Sequence, residues 1–166
     1  MNFKNIKRPK ILTAESAIDD RGQIIFANSF DFKNIKRFYV VSNHRSRFIR
    51  AWHGHKKESK FIIVLHGTAL ICAVKIDNWK KPNKNQPVEK FILSEKKPKI
   101  LFIPGGYANG FKTLEKNTKL LIYSTSSIST NDSFLQYFFI FSIPLIVALT
   151  FEILNSVPCL YCVLIS

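Results

Sequence analysis

Two histidines separated by one residue, in the stretch FIRAWHGHKKESKFIIVLHG, offer the clearest chemistry in this chain. His53 and His55 stand just before an apolar run that closes on Gly67. Side chains two positions apart on a β-strand point to the same face, so both imidazoles are predicted to face one cavity, with Trp52 and Gly54 on the opposite face. A neutral imidazole either binds a metal ion or carries a proton. The pair alone therefore indicates a metal site or a site of proton transfer.

The elements that would position this pair are predicted to be β-strands. From Lys10 to about Ser127 the chain consists of short apolar runs, rich in β-branched and aromatic residues, that polar or Gly/Pro-containing turns separate. Runs of this kind at even spacing are typical of a sandwich or barrel. The chain has 166 residues, the length of one domain with a core of its own. We therefore expect an all-β domain.

The composition limits the binding partners and the cellular compartment that can be expected for the protein. The formal net charge is +14, which would favour nucleic acid or an anionic membrane if the charges were clustered. The lysines are instead scattered through the turns, so we expect no nucleic-acid partner, although the charge could help to attract anionic substrates. Three cysteines, and an N-terminus without the apolar core of a signal peptide, favour the reducing cytoplasm.

The surroundings of the histidine pair resemble the first conserved motif of the cupin superfamily, in which two histidines and a glutamate bind a metal ion. Lys60 stands at the glutamate position, and an ammonium group has no lone pair with which to ligate a cation. The stretch IPGGYANGF resembles the second cupin motif, with Asn109 in place of its histidine. These two replacements favour proton transfer without metal, and we expect no cofactor.

Five segments in order are similar to the dTDP-4-dehydrorhamnose 3,5-epimerases and the related nucleotide-sugar 3,4-ketoisomerases, which are cupins. The resemblance covers Asp19 to about Ser127 and is carried by DDRGQIIFANSF, SNHRSRFIRAWHGH, SKFIIVLHGTALICAVKID, LFIPGGYANGF and TKLLIYSTSS. It implies a double-stranded β-helix, or jelly-roll barrel, and a homodimer. It also implies a metal-independent isomerase of dTDP-4-keto-6-deoxy sugars, working in the synthesis of surface polysaccharide such as lipopolysaccharide. The reaction would begin with removal of the proton next to the keto group.

The resemblance also implies roles for particular residues. The catalytic group comprises a general base, a second imidazole, a cation near the keto oxygen and a tyrosine beside the sugar: His53, His55, Lys60 and Tyr123. The group that binds the substrate, mainly through its nucleotide and phosphates, comprises Arg21, Asn43, Arg50 and Asn109. The His-x-His spacing is similar to the ketoisomerases, whereas Lys60 is similar to the epimerases. Epimerisation, 3,4-ketoisomerisation and a nucleotide-sugar binding cupin with impaired catalysis all remain open.

The C-terminus departs from the family. After residue 133 the apolar run FLQYFFIFSIPLIVALTF replaces the acidic, Arg- and Trp-containing tail expected of close relatives. Ser129 stands where the epimerases place a proton-donating tyrosine, and only Asp132 and Glu152 remain as the carboxylate that would orient the catalytic histidine. We therefore divide the chain into a cupin domain, residues 1–130, and an apolar tail, residues 131–166. The tail is either the product of a shifted reading frame or a helical anchor in the inner membrane, which would be the only membrane association.

Overall fold

The structure is a computed structural model, and it describes residues 3–28, 30–45, 48–83, 85–127 and 134–136. Within these ranges there is no α-helix, and one turn of 3-10 helix, Phe3–Asn5, precedes the strands. The strands are β1 (Lys10–Thr13), β2 (Glu15–Asp19), β3 (Gly22–Phe26), β4 (Arg37–Ser42), β5 (Ile49–His55), β6 (Lys60–His66), β7 (Thr68–Lys75), β8 (Val88–Ser94), β9 (Lys99–Ile103), β10 (Tyr107–Thr113), β11 (Lys119–Ser124) and β12 (Phe134–Gln136). The predicted all-β class is confirmed.

Two five-stranded antiparallel sheets form the body of the domain. The first sheet has the order β1-β9-β6-β11-β4, and the second has the order β12-β5-β10-β7-β8. Strands that are neighbours in a sheet are often distant in sequence, as in a jelly roll, where the chain passes between the two sheets. The fold therefore agrees with the predicted cupin barrel. It also brings strands β4, β6 and β11 of one sheet opposite β5 and β10 of the other.

The core lies between the two sheets and is built by side-chain alternation. On β6, Ile62 and Val64 point inward and are buried, and on β11 Leu120 and Ile122 do the same. They pack with buried residues of the second sheet such as Ile71. Each fully buried aliphatic side chain of this size contributes about 1.5–3 kcal/mol. This apolar packing fixes the register of the strands whose inward polar side chains form the cavity described below.

Two glycines permit close approaches that a side chain would block. Gly67 joins β6 to β7 with φ of +74°, and a Cβ there would collide with the hydroxyl of Thr118. A Cβ on Gly110 in β10 would lie 2.5 Å from the Cβ of Ala51 in β5. The second contact matters for function, because it keeps β10 close against the part of β5 that carries the histidine pair.

The hairpin of β2 and β3 stands apart from the two large sheets. The two strands form a sheet of their own, and Ile18, Ile24 and Ile25 are exposed by 75%, 64% and 44%. Strand β12, beyond the predicted domain boundary at residue 130, pairs through its backbone with β5. The rest of the apolar run predicted as an anchor lies outside the described residues. Among the described residues, no helix has the length and apolar character needed to cross a membrane.

Candidate active site

A cavity of about 400 Å³ opens between the two sheets, a volume in the range of small-molecule sites. Its wall combines cations, imidazoles, one carboxylate and a few apolar side chains. The residues that line it are Arg37, Tyr39, Val41, Arg50, His53, His55, Glu58, Lys60, Asn109, Phe111, Ile122, Ser126 and Ser127. The predicted group of His53, His55, Lys60, Arg50 and Asn109 is therefore brought together in one place.

Strand β5 carries the histidine pair into this cavity as the alternation predicts. His53 and His55 line the cavity, whereas Trp52 packs on the other side of the sheet against Cys72 and Ala108. Strict alternation would point Arg50 away from His53. A β-bulge prevents this. Asn109 of β10 pairs with His53 of β5. Phe111, two residues further along β10, pairs with Arg50, which lies three residues back along β5. The extra residue in β5 turns the Arg50 side chain onto the cavity side.

Lys60 lies inside the cavity and not at its outer rim. It is the first residue of β6 and is only 7% exposed, and its Nζ lies 3.4 Å from Oδ1 of Asn109, to which it donates a hydrogen bond. Burial, with a further contribution from the positive charge of Arg37, lowers the pKa of Lys60, although the carboxylate of Glu58 acts in the opposite direction. The two residues that replace metal ligands of the cupin motifs thus contact each other.

The sequence analysis did not identify Glu58, which lies in the turn between β5 and β6. Its side chain is 2% exposed, and Oε2 lies 3.1 Å from Nδ1 of His55. The other oxygen, Oε1, accepts a hydrogen bond of 2.8 Å from the hydroxyl of Ser124 and lies 3.7 Å from Nη2 of Arg37. A buried carboxylate thus contacts a histidine that lies three residues earlier in the sequence. Glu58 is neither of the two carboxylates, Asp132 and Glu152, that were considered as partners of the catalytic histidine; both of those lie outside the described residues, so that expectation stays a prediction.

Strand β4 supplies two further residues that sequence reasoning missed. Arg37 and Tyr39 alternate with the exposed Phe38 and Val40, so both point inward. Arg37 donates a hydrogen bond of 3.1 Å from Nε to the carbonyl oxygen of Ser126, and its guanidinium lies 5.2 Å from the centre of the Tyr39 ring. The alternating pattern RFYVVS was the available signal, since it places Arg and Tyr on one face of a strand.

The electrostatic environment favours the neutral form of His53. Burial is the largest cause that lowers the pKa of His53, followed by the charge of Lys60, by His55 when that imidazole is protonated, and by Arg50. Burial and the negative charge of Glu58 raise the pKa of Tyr39 to about 12, with Arg37 acting in the opposite direction. The cavity therefore holds an imidazole that is ready to accept a proton and a phenol that retains its own.

Three of the predicted site residues do not line this cavity. Tyr123 lies on the outer face of the first sheet, where its ring packs against Phe30 and Phe32. Asn43 donates hydrogen bonds to the carbonyl oxygen of Phe48 and to Thr113, so it fastens the segment that leads into β5. Arg21 forms an exposed ion pair with Asp19 in the turn between β2 and β3. Ser129, Asp132 and Glu152 lie outside the described residues.

The side chains around the histidine pair determine whether the cavity could hold a metal ion. Among the described residues, no group of three or more His, Cys, Asp or Glu side chains is placed to hold a metal ion. His53 faces Asn109 across the β5–β10 pairing, and the amide of Asn109 accepts from the Lys60 ammonium. The polar side chains of the cavity are therefore arranged around the protein's own cation, the Lys60 ammonium. The absence of a cofactor stays a prediction from the sequence.

Comparison with known proteins identifies the family. The family model described as dTDP-4-dehydrorhamnose 3,5-epimerase matches residues 4–137. The chain belongs to this epimerase family. Comparison with curated proteins finds no significant match.

Solved structures of the same type superpose on the chain. The dTDP-4-dehydrorhamnose 3,5-epimerase of Bacillus anthracis str. Ames, solved with TDP and PPi bound, is 24% identical, with a TM-score of 0.65 over 87% of this chain and 86% of that one. The TDP-quinovose 3,4-ketoisomerase of Campylobacter jejuni is also 24% identical, with a TM-score of 0.60 over 80% and 95%. A sugar 3,4-ketoisomerase of Thermoanaerobacterium thermosaccharolyticum in complex with TDP is 18% identical, with a TM-score of 0.62 over 82% and 93%.

These likenesses establish the fold, and the family match establishes the class of enzyme. The predictions of an epimerase-like cupin and of an isomerase are confirmed. The epimerase family match extends to residue 137 and so includes strand β12, which pairs with β5 beside the histidine pair.

Proposed function

We propose that the protein is a metal-independent isomerase of dTDP-4-keto-6-deoxy sugars that removes the proton next to the keto group. The observation that carries this proposal is the buried Lys60 ammonium in the same cavity as His53. A keto group acidifies the neighbouring C–H bond, and removal of that proton leaves negative charge on the keto oxygen. A fixed cation in a cavity with little water stabilises such charge far better than water does.

His53 is the proposed general base. Its lowered pKa keeps the imidazole neutral at physiological pH, which is the form that can accept a proton. Tyr39 takes the place expected for Tyr123 as the tyrosine beside the sugar, because it lines the cavity and its raised pKa keeps the phenol protonated. In epimerisation the proton returns to the same carbon from the opposite face, and the keto group remains at C4.

Arg37 and Arg50 are proposed to bind the diphosphate. Both guanidiniums line the cavity, and Arg37 is held in place by the Ser126 carbonyl and the Tyr39 ring. A guanidinium offers a planar pair of donors that matches phosphate oxygens. The residues that line the cavity include two arginines, one lysine and a single carboxylate, which favours an anionic substrate.

The second candidate is 3,4-ketoisomerisation of the same substrates. His55 favours it, because this imidazole also lines the cavity and is held by a carboxylate. Here the C3 proton is removed to give an enediol, a proton is delivered to C4, and the C3 hydroxyl proton moves to the former keto oxygen, so that the carbonyl ends at C3. Two imidazoles on one face suit a proton that leaves one carbon and arrives at its neighbour.

We further propose that the protein acts as a homodimer in the cytoplasm. The isoleucines on the β2–β3 hairpin are exposed, and β4 is an edge strand whose outer face exposes Phe38 by 67% and Val40 by 53%. The hairpin of a second copy, added along β4, would cover both apolar surfaces and carry Arg21 toward the neighbouring cavity. Light scattering should find a dimer that Ile24→Asp dissociates, whereas Ile92→Asp on the exposed face of β8 should not. A monomeric parent protein would contradict the arrangement.

The reaction is tested with the full chain in D2O. Incubation with dTDP-4-keto-6-deoxyglucose should place deuterium on a ring carbon next to the carbonyl, whereas dTDP-glucose, which has no keto group, should remain unlabelled. NMR of the product then separates the two candidates by the position of the carbonyl, at C4 for epimerisation or at C3 for ketoisomerisation. Binding of TDP without any deuterium entering the sugar would overturn the enzymatic proposal and favour a catalytically impaired binding cupin.

A further inference from the structure

The proton-transfer scheme above uses Glu58 only as the carboxylate beside His55, although it is one of the most deeply buried charged groups in the described ranges. Residue Glu58 as a whole is 5% exposed. One carboxylate oxygen lies 3.1 Å from Nδ1 of His55, and the other accepts a hydrogen bond of 2.8 Å from Ser124. Burying a carboxylate is unfavourable unless its partners satisfy it. The arrangement therefore needs an explanation in terms of what Glu58 does to its neighbours.

We propose that Glu58 is a positioning residue that keeps the neutral His55 proton on Nδ1 and thereby reserves the lone pair of Nε2 for proton exchange in the cavity. The inference rests on the proposed function for its catalytic meaning, but its structural content stands without substrate. A carboxylate can only accept hydrogen bonds, so at 3.1 Å hydrogen on the facing nitrogen is favoured over a lone pair, although the angle of this ion-pair contact falls short of a hydrogen bond. In a neutral imidazole the other nitrogen is then the acceptor.

The surroundings hold Glu58 in this position. On one side of the carboxylate, the amide of the adjacent Ser59 donates to Oγ1 of Thr125 at 2.9 Å, and the amide of Thr125 donates to the Ser59 carbonyl at 3.1 Å. On the other side, the Ser126 amide donates to the Ser124 oxygen at 3.1 Å. The single Ser124 hydroxyl proton has two acceptors in range, Glu58 at 2.8 Å and the Ser126 carbonyl at 3.0 Å, and the nearer, charged carboxylate is the stronger acceptor. The end of β11 thus clamps the turn that carries Glu58.

This clamp gives the Glu58→Gln variant a distinctive expected behaviour. The Ser124 hydroxyl donates to Oε1, and the Arg37 guanidinium lies 3.7 Å from the same oxygen. Both groups carry hydrogen, so they should attract the amide oxygen of the new glutamine to that side. The amide NH2 group would then face Nδ1 of His55. Because NH2 donates, Nδ1 would have to accept, and the His55 proton would move to Nε2.

The chain contains a matched control at its surface. His66 Nδ1 lies 2.9 Å from Oε2 of Glu95, but the two side chains are 54% and 32% exposed. The contact is slightly shorter than the one at His55, 2.9 Å against 3.1 Å. Water can replace either partner there, so Glu95→Gln should leave the tautomer of His55 and the activity unchanged.

The test uses the full chain with 15N-labelled histidine at a pH where the imidazoles are neutral, with no substrate present. The four histidines give separate nitrogen signals, and His55→Gln identifies those of His55. The parent should show His55 protonated at Nδ1, and Glu58→Gln should show it protonated at Nε2. Protonation of His55 at Nε2 in the parent would overturn the proposal even if no variant folded, and so would a Glu58→Gln protein whose His55 tautomer is unchanged.

A second readout connects the tautomer to catalysis. Deuterium incorporation by Glu58→Gln should have a kcat lowered on the order of 10²–10⁴-fold, with KM little changed, because that is the usual size of a general acid–base contribution and a wrong imidazole tautomer can remove it. Glu95→Gln should match the parent. A purely structural role would not separate kcat from KM in this way, and an unaltered kcat would overturn the catalytic part of the proposal. If the predicted tautomer is found but no form of the protein exchanges deuterium, the proposed reaction fails and the positioning role stands.

Discussion

The two ends of strand β6 carry the same chemical pair in opposite surroundings. Just before the strand begins, His55 lies 3.1 Å from Glu58, with side chains 15% and 2% exposed. Where it ends, His66 lies 2.9 Å from Glu95, with side chains 54% and 32% exposed. Distance alone does not separate these pairs. The pairs differ in burial and in the residues that surround them.

The buried pair is part of a network and the exposed pair is open to solvent. Glu58 also meets Ser124 and Arg37, and its histidine shares a cavity with Lys60. An exposed ion pair contributes only about 0.2–1 kcal/mol because water and salt compete for both partners. In the cavity the same groups are fixed and poorly hydrated, so their charges and protons can control a reaction.

The largest contrast should appear when the histidines themselves are removed. His53→Ala should lower the rate of deuterium incorporation by about 10³-fold, because the general base is lost. His66→Ala, at the exposed end of β6, should leave that rate unchanged. NMR of the sugar after incubation in D2O measures both. Comparable rates in the two variants would break the distinction between the two regions.

A smaller contrast is expected in stability. Glu58→Ala should lower the free energy of unfolding by about 1–3 kcal/mol, since the buried Ser124 hydroxyl would lose its charged acceptor and the His55 nitrogen its ion-pair contact. Glu95→Ala should change it by at most about 1 kcal/mol. Urea denaturation followed by fluorescence provides the measurement. Equal losses would mean that the buried network stabilises the fold no more than the surface pair does.

The smallest effect concerns the titration of His53. Burial and the charge of Lys60 lower the pKa of His53, so its neutral form should persist as the pH falls below the ordinary value of about 6.5. Lys60→Met removes a neighbouring positive charge, and the pKa of His53 should therefore rise. Proton NMR of the His53 ring follows this directly. A pKa above 6.5 in the parent, or a fall in the variant, would contradict the account.

Much of the fold could be predicted because the strands follow simple alternation. The runs KFIIVLHG and TALICAVKI became β6 and β7, and the closing Gly67 has the positive φ that the turn requires. Strand β2, with the sequence ESAID, was missed because all of its residues are exposed and it has no apolar face. Pairing with β3 forms this strand, and the pattern of one segment alone does not reveal its partner.

The candidate site was predicted in part for the same reason. His53, His55 and Lys60 lie where motif spacing put them, and Arg50 does so only because a bulge in β5 shifts the alternation. Tyr123 was assigned to the sugar site from the resemblance, but odd and even positions of β11 face opposite ways, and Ile122 takes the inward place. Glu58 sits in a turn, where no periodicity predicts direction, so only the folded chain reveals its contact with His55.

The central claim is that the buried Lys60 ammonium stabilises an enolate formed at the substrate carbonyl. Its most direct test is the rate at which Lys60→Met incorporates solvent deuterium into dTDP-4-keto-6-deoxyglucose, compared with Lys119→Met on the exposed position of β11. The account predicts that Lys60→Met remains folded and binds TDP but exchanges about 10²–10³-fold more slowly, while Lys119→Met matches the parent. Exchange by Lys60→Met at a rate close to that of the parent would contradict the claim.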